Sequence, residues 1–88
     1  MVDVINEIHV LYFAHFREVL GQAEEKMPAT HATIAELLAE LALRGEPWKV
    51  ALLDNNNVQI AVNHDVASRE TPIKAGEEIA FFPPVTGG

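Results

Sequence analysis

The sequence has 88 residues, enough for one domain that buries about 60–65% of its unfolded surface. Hydrophobic residues make up 49% of the chain, which indicates a folded protein rather than a disordered one. The formal net charge of −7 argues against nucleic acid as a partner, because its phosphates would be repelled. No cysteine is present, which excludes disulfides, thiolate nucleophiles and zinc–thiolate sites.

The hydrophobic residues form no long uninterrupted run, so the sequence predicts no membrane span. The first residues, MVDVINE, are acidic and lack the basic segment and apolar core of a secretory signal. Together with the absence of cysteine, this leads us to expect a cytoplasmic protein without membrane association.

The segment EIHVLYF, residues 7–13, is rich in β-forming residues and largely apolar on both faces, which predicts a strand in the centre of a sheet. AHFREVLG then predicts a short helix that ends at Gly21 in the left-handed conformation. AEEKMP predicts a second strand, ended by Pro28.

The clearest element is the helix in TIAELLAELALRG. Thr33 and Glu36 have the spacing of a capping box, in which each side chain accepts from a backbone N–H at the helix start. We expect Glu40 and Arg44 to form an i, i+4 ion pair and Gly45 to end the helix. One apolar stripe must pack against the sheet: Ile34, Leu37, Leu38 and Leu41.

After this helix, WKVALLD fits either a helical turn or a short strand, and the pattern leaves both open. DNNN, residues 54–57, predicts a turn, residues 58–62 a strand, and NHD a second turn. VASRETPIKAGEE predicts a loop, and residues 78–82 predict the last strand, which Pro83 ends.

The predicted order is strand, strand, helix, strand, strand, which favours an α+β roll with one main helix on one face of a small mixed sheet. The first and last strands are the most apolar, so we expect them to pair in parallel at the centre. Because the helix covers only one face, some of Leu11, Phe13, Phe82 and their neighbours should stay exposed on the other. Such an apolar patch usually marks a partner surface.

The chain ends in PPVTGG, which can extend roughly 20 Å from the last strand. The prolines stiffen the first part and donate no N–H, the β-branched residues favour extension, and the glycines fit a narrow tunnel. The pattern predicts a tail that presents its terminal carboxylate inside another protein's active site. Its residues are Pro83, Pro84, Val85, Thr86, Gly87 and Gly88.

Three segments, HVLYFAHFREVLG, IAVNHDVA and GEEIAFFPPVTGG, resemble the small-subunit family of molybdopterin synthase, the MoaD family of sulfur carriers. The resemblance implies a ubiquitin-like β-grasp domain over residues 1–82 and an extended tail over residues 83–88. It also implies that the carboxylate of Gly88 is adenylated, becomes a thiocarboxylate, and donates sulfur to cyclic pyranopterin monophosphate to form the molybdopterin dithiolene.

The same resemblance implies two protein partners: the large synthase subunit, in a complex of two small and two large subunits, and an ATP-dependent activating enzyme. It places the contact with the large subunit on Phe13, Val66 and Phe82. The chain would then be a non-catalytic sulfur-donor subunit with no bound cofactor, and ATP would be used by the activating enzyme.

Other sites are weaker candidates. No two histidines have the i, i+4 spacing of a helical metal site, so we expect no metal. Arg17, Glu77 and Glu78 could contact a partner, although a solvated surface explains them as well. Trp48 is expected to cap the core. The four histidines are His9, His15, His31 and His64.

The tail chemistry leaves three other functions open. A carrier for thiamine synthesis or tRNA thiolation would use the same thiocarboxylate. A ubiquitin-like protein modifier would pass the acyl-adenylate on to a lysine instead. A plain heterodimerisation module would carry an inert tail. The FFPPV stem favours molybdopterin synthesis among these.

Overall fold

The structure is a computed structural model that describes residues 6–84. Five strands form one mixed sheet in the order β2-β1-β5-β3-β4. One core lies between the sheet and the helices. In residues 6–84 no helix has the length and apolar character needed to cross a membrane. The elements are β1 (Glu7–Tyr12), α1 (His15–Leu20), β2 (Glu24–Pro28), α2 (Ile34–Ala42), α3 (Glu46–Trp48), a π-helix (Lys49–Leu53), β3 (Gln59–Val62), β4 (Asp65–Ala67) and β5 (Glu78–Phe82).

The central pair of the sheet is β1 and β5, which run parallel with Val10 opposite Ile79 and Tyr12 opposite Phe81. All four of these side chains are fully buried beneath the helices. The predicted central position and parallel pairing of the first and last strands are therefore confirmed. Because side chains alternate along a strand, the neighbouring residues point to the other face of the sheet, which no described helix covers.

Helix α2 begins as the capping box predicts. The Thr33 hydroxyl accepts a hydrogen bond from the Glu36 N–H at 3.4 Å, and the Glu36 carboxylate accepts from the Ala32 N–H at 3.0 Å. The predicted apolar stripe is fully buried. The helix ends at Ala42, earlier than predicted, and the chain reaches Gly45 through tighter turns.

The segment predicted as one loop, VASRETPIKAGEE, begins inside a strand. Asp65–Ala67 forms β4, which pairs antiparallel with β3 at the edge of the sheet. Asn63 and His64 join the two strands with φ of 49° and 76°, the backbone of a two-residue type I′ hairpin turn. The turn was predicted from NHD, but a strand of three residues is too short to show an alternating pattern.

The predicted pair of Glu40 and Arg44 is wrong. Arg44 lies beyond the end of α2, so it does not occupy the next helical turn from Glu40. Its guanidinium instead donates two hydrogen bonds to the Glu25 carboxylate, at 2.7 and 2.8 Å. The Tyr12 hydroxyl donates to the same carboxylate at 2.7 Å, and Glu40 pairs with the buried His31 at 2.7 Å.

The undecided segment WKVALLD is helical, forming the end of α3 and the π-helix. The DNNN turn follows as predicted, with the Asn57 N–H donating to the Asn55 side chain at 2.9 Å. Trp48 packs on the core as expected, edge-on to Tyr12 with ring centroids 5.4 Å apart. The guanidinium of Arg44 lies 4.6 Å from the Trp48 ring centroid.

Replacing Glu25 with Gln should destabilise the protein by about 1–2 kcal/mol at pH 7, because a charge-assisted pair is lost. Burial raises the pKa of the Glu25 carboxyl, but hydrogen bonds from Arg44 and Tyr12 outweigh burial and lower that pKa below its ordinary 4.5. A lowered pKa in the folded state stabilises the protein above pH 4.5, and that stabilisation is lost as the pH falls through the folded value. Urea unfolding of wild type and Glu25→Gln at several values between about pH 7 and about pH 3 measures the difference between their unfolding free energies. A difference that stays constant over this pH range would contradict the prediction.

The two faces of the sheet should respond differently to truncation. Phe81→Ala removes a fully buried ring and should cost about 3–5 kcal/mol of unfolding free energy. Phe13 is 45% exposed and Val66 is 89% exposed. Changing either residue to Ala should therefore cost under about 1 kcal/mol of unfolding free energy. Urea unfolding at neutral pH measures all three variants, and a loss at Phe13 comparable with that at Phe81 would assign Phe13 to the core.

Candidate functional site

A row of apolar residues crosses the uncovered face of the sheet. The register places Ala61 of β3 opposite both Val66 of β4 and Ala80 of β5, and Ala80 opposite Leu11 of β1. Residues paired directly across neighbouring strands share a face. These four side chains therefore line up across four strands, and we call this row the trough.

The trough has a low floor and raised sides. Its middle positions, Ala61 and Ala80, carry only a methyl group, whereas Leu11 and Val66 are larger and stand at its two ends. Ala80 is 8% exposed beneath its neighbours, while Val66 is 89% exposed. A row of this shape can receive a bulky apolar side chain of a partner over the two alanines.

Phe13 and Phe82 lie together beside the trough, at the carboxyl ends of the two central strands. Their rings meet edge to face, with centroids 6.3 Å apart and an interplanar angle of 81°. Phe82 is half-buried and pairs across the sheet with Gln59. The expected exposure of Leu11, Phe13 and Phe82 is confirmed, and Val66 lies on the same face at the sheet edge.

The other end of the same face is polar. His9 pairs with Glu24, and His64 pairs with Glu78 at 3.0 Å. Glu78 also donates its backbone N–H to the Asn63 side chain at 2.9 Å, so it supports the hairpin turn. These pairs form a charged rim below the apolar trough.

The remaining weak candidates lie away from the trough or in local turns. The Glu77 carboxylate accepts from the Lys74 N–H at 2.7 Å, which explains Glu77 as a turn residue. Arg17 is exposed on α1. His31 is buried against Glu40, and His15 stacks edge-on against Phe16.

The stem of the tail begins directly after β5. Pro83 is half-buried next to Phe82, and Pro84 is exposed. Since neither residue has an N–H, neither can donate a backbone hydrogen bond to a neighbouring strand. The other predicted tail residues, Val85, Thr86, Gly87 and Gly88, lie outside the described residues.

The described part of the chain offers little to hold a metal or a cofactor. Within residues 6–84, no group of three or more His, Cys, Asp or Glu side chains is gathered as metal ligands would be. Two shallow grooves, one beside His9 and one between α1 and the π-helix, have volumes of about 200 and 290 Å³. Small-molecule sites are usually larger, about 300–1,000 Å³.

Sequence reasoning missed the two alanines at the floor of the trough. The letters QIAV and EIAFF show small residues among large apolar ones, but they do not show that Ala61 and Ala80 face each other. That fact depends on the strand order and register, which one sequence does not specify.

Two curated proteins are similar to this chain over almost their whole length. The molybdopterin synthase sulfur carrier subunit of Escherichia coli is 40% identical over 81 residues, which cover 92% of this chain and 99% of that protein. The subunit of the same name from Haemophilus influenzae is 38% identical with the same coverage.

Solved structures show the same architecture. The small archaeal modifier protein 1 of Methanosarcina acetivorans superposes with a TM-score of 0.77 over 98% of this chain and 100% of that one, at 23% identity, which shows the fold alone. The complex of subunits 1 and 2 of molybdopterin-converting factor from Helicobacter pylori contains a chain that matches with a TM-score of 0.66 at 26% identity, covering 93% of this chain and 99% of that one. The predicted β-grasp, ubiquitin-like roll is confirmed.

A sequence model of the ThiS family matches residues 10–88, which include all of the three segments that resemble sulfur carriers except His9 of the first. The match extends from the central strand β1 to the last glycine. The curated relatives match this chain over almost their whole length. Together, the family match and these relatives show that the chain belongs to the ThiS family and, within it, to the family of molybdopterin synthase sulfur carrier subunits.

Proposed function

We propose that this chain is the sulfur carrier subunit of a molybdopterin synthase and that the carboxylate of Gly88 carries the sulfur. The observation that supports this most directly is the 38–40% identity with curated subunits of that name over 99% of their length. Residues 6–84 add an exposed apolar face and the start of a proline stem. We propose the chain's own C-terminus as the reacting group.

The chemistry begins with a poor electrophile, because the negative charge of a carboxylate is delocalised over two oxygens. An activating enzyme joins the carboxylate of Gly88 to the α-phosphate of ATP and releases pyrophosphate, which gives an acyl-adenylate with a good leaving group. A sulfide-level sulfur nucleophile then displaces AMP and leaves a thiocarboxylate. We propose that the reaction takes place in the cytoplasm, where ATP is available.

The thiocarboxylate sulfur is the nucleophile of the second stage. It displaces an oxygen substituent of cyclic pyranopterin monophosphate in the large subunit, which joins the terminus to the pterin as a thioester. Water then attacks the Gly88 carbonyl carbon and breaks the C–S bond, so the sulfur stays on the pterin and the terminus is again a carboxylate. Two such deliveries complete the dithiolene. Docking makes each attack effectively intramolecular, which can lower the activation free energy by several kcal/mol.

The fold supports delivery of the tail by docking. Strand β5 ends next to Phe13, so Pro83 and Pro84 leave the sheet beside the aromatic pair and the trough. A partner that covers the trough is therefore also next to the start of the tail. We propose that Phe13, Val66 and Phe82 contact the large subunit, with a bulky apolar side chain of that subunit over Ala61 and Ala80.

The charge of the chain suits a partner with a basic surface. With a net charge of −7, the chain should meet a positively charged activating enzyme faster than a neutral protein would. We propose an assembly of two small and two large subunits, and a separate, transient complex with the activating enzyme.

Incubation with the activating enzyme, ATP and a sulfur donor should replace one terminal oxygen of Gly88 by sulfur. Intact-mass spectrometry measures the change, and a chain that lacks Gly88 is the matched control that should remain unchanged. Adding the large subunit and cyclic pyranopterin monophosphate should then regenerate the carboxylate. Conjugates with lysine side chains would instead indicate a protein modifier, sulfur transfer only to another acceptor would indicate a different pathway, and an unmodified chain would contradict the proposal.

A lysine in the trough should block docking without unfolding the protein. Ala61→Lys puts a charge into an apolar contact and should weaken binding of the large subunit by about 2 kcal/mol or more. The control is Ala39→Lys, because Ala39 is exposed on α2, on the helical side of the sheet. Calorimetric titration measures both affinities and circular dichroism measures both melting temperatures. Equal affinities of the two variants would contradict the docking face.

A further inference from the structure

The chain bends sharply between β1 and α1 at Ala14. Its backbone has φ 56° and ψ −137°, a conformation that glycine adopts freely and that a residue with a Cβ atom rarely adopts. Ala14 is also the N-cap of α1, yet its side chain can make no capping hydrogen bond. The bend is therefore strained, and the helix start gains nothing from the alanine side chain.

Hydrogen bonds on both sides hold the bend in place. The Phe13 N–H donates to the Phe81 carbonyl at 3.0 Å, which continues the β1–β5 ladder by one residue. The Phe16 N–H donates to the Phe13 carbonyl at 3.2 Å, and the Arg17 N–H donates to the Ala14 carbonyl at 3.1 Å. A strained residue persists where its surroundings over-determine its conformation, and such residues cluster at functional sites.

The bend sends two neighbouring aromatic rings to opposite faces of the sheet. Phe13 lies on the uncovered face against Phe82, whereas Phe16 is 1% exposed in the core. Glycine at position 14 would remove the strain, but it would also widen the range of backbone conformations next to Phe13. An alanine narrows that range, at a cost in stability.

We propose that Ala14 is a positioning residue: with the bend held by the flanking hydrogen bonds, its Cβ leaves the backbone a narrower range than glycine would, and this keeps Phe13 against Phe82 in the orientation that the large subunit binds. The inference depends on the proposed function, because it assigns to Phe13 a contact with that subunit. Ala14 itself acts only through Phe13. A ring that is already ordered before docking loses less conformational freedom on binding, which favours the complex.

The test is Ala14→Gly, with the large synthase subunit from the same organism as the probe. The melting temperature should rise by about 4 °C or more, because the strain is relieved. Affinity should nevertheless fall by roughly two- to tenfold, the effect of ordering one side chain on binding. In the free protein, nuclear Overhauser contacts between the Phe13 and Phe82 rings should weaken. A turn with a merely structural role would become more stable without either loss.

A double-mutant cycle links the effect to Phe13. Phe13→Ala should weaken binding about thirtyfold, and adding Ala14→Gly to it should weaken binding no further. Ala39→Gly on exposed α2 is the matched control for an added glycine, and it should lower the melting temperature with unchanged affinity.

Three results would overturn the inference, and they are distinguishable. If Phe13→Ala weakens binding while Ala14→Gly binds as tightly as wild type and keeps the ring contacts, the positioning role alone is wrong. If Phe13→Ala binds like wild type, the docking role of Phe13 under the proposed function is wrong, and the role of Ala14 is wrong with it. A loss of affinity in Ala14→Gly that persists in full without Phe13 would also contradict it.

Discussion

The parallel pairing of β1 and β5 is the constraint on which the rest of the molecule depends. Parallel strands end at the same edge of a sheet, so the exit of β1 into the Ala14 bend and the exit of β5 into Pro83 lie side by side. The carboxyl ends of the two most buried strands thus carry the aromatic pair and the start of the tail. A strand order that separated β1 from β5 would separate the aromatic pair from the start of the tail.

The second constraint is that the described helices are too few and too short to cover both faces of the sheet. The single long helix α2 covers one face of the sheet, and the loop that contains Arg69 closes the base of the same layer by bonding three carbonyls of the segment from Leu52 to Asn55. The uncovered face is left with the apolar trough, the aromatic pair of Phe13 and Phe82, and the charged rim. In an 88-residue chain, covering one face with helix is enough to complete the core and leaves the other face exposed to a partner.

The elements with strong local patterns were predictable from the sequence, and those created by tertiary contact were not. The two-sided apolar character of β1 and the stripe of α2 determine where each must lie, so the roll and the central pair followed from them. Strand β4 has three residues and depends on the hairpin at Asn63 for its pairing, and the partner of Arg44 depends on where β2 passes. No periodicity in a single sequence carries such information.

The candidate site divides in the same way. The exposure of Phe13 and Phe82 followed from strand alternation, and the tail from its composition, whereas Val66 was identified by resemblance alone. Ala61 and Ala80 become visible as a floor only when the register is known. The strain at Ala14 could not be predicted, because alanine at that position gives no sign of a positive φ.

Trp48 is the sole tryptophan of the sequence, and its surroundings give the protein a native optical probe. The indole is flanked by the Tyr12 ring and the Arg44 guanidinium on the covered side of the sheet, behind the trough. Its fluorescence emission therefore reports whether β1, α2 and α3 remain closed on one another. Intrinsic fluorescence can therefore show whether the domain stays folded while a partner occupies the opposite face, with no dye attached to the chain.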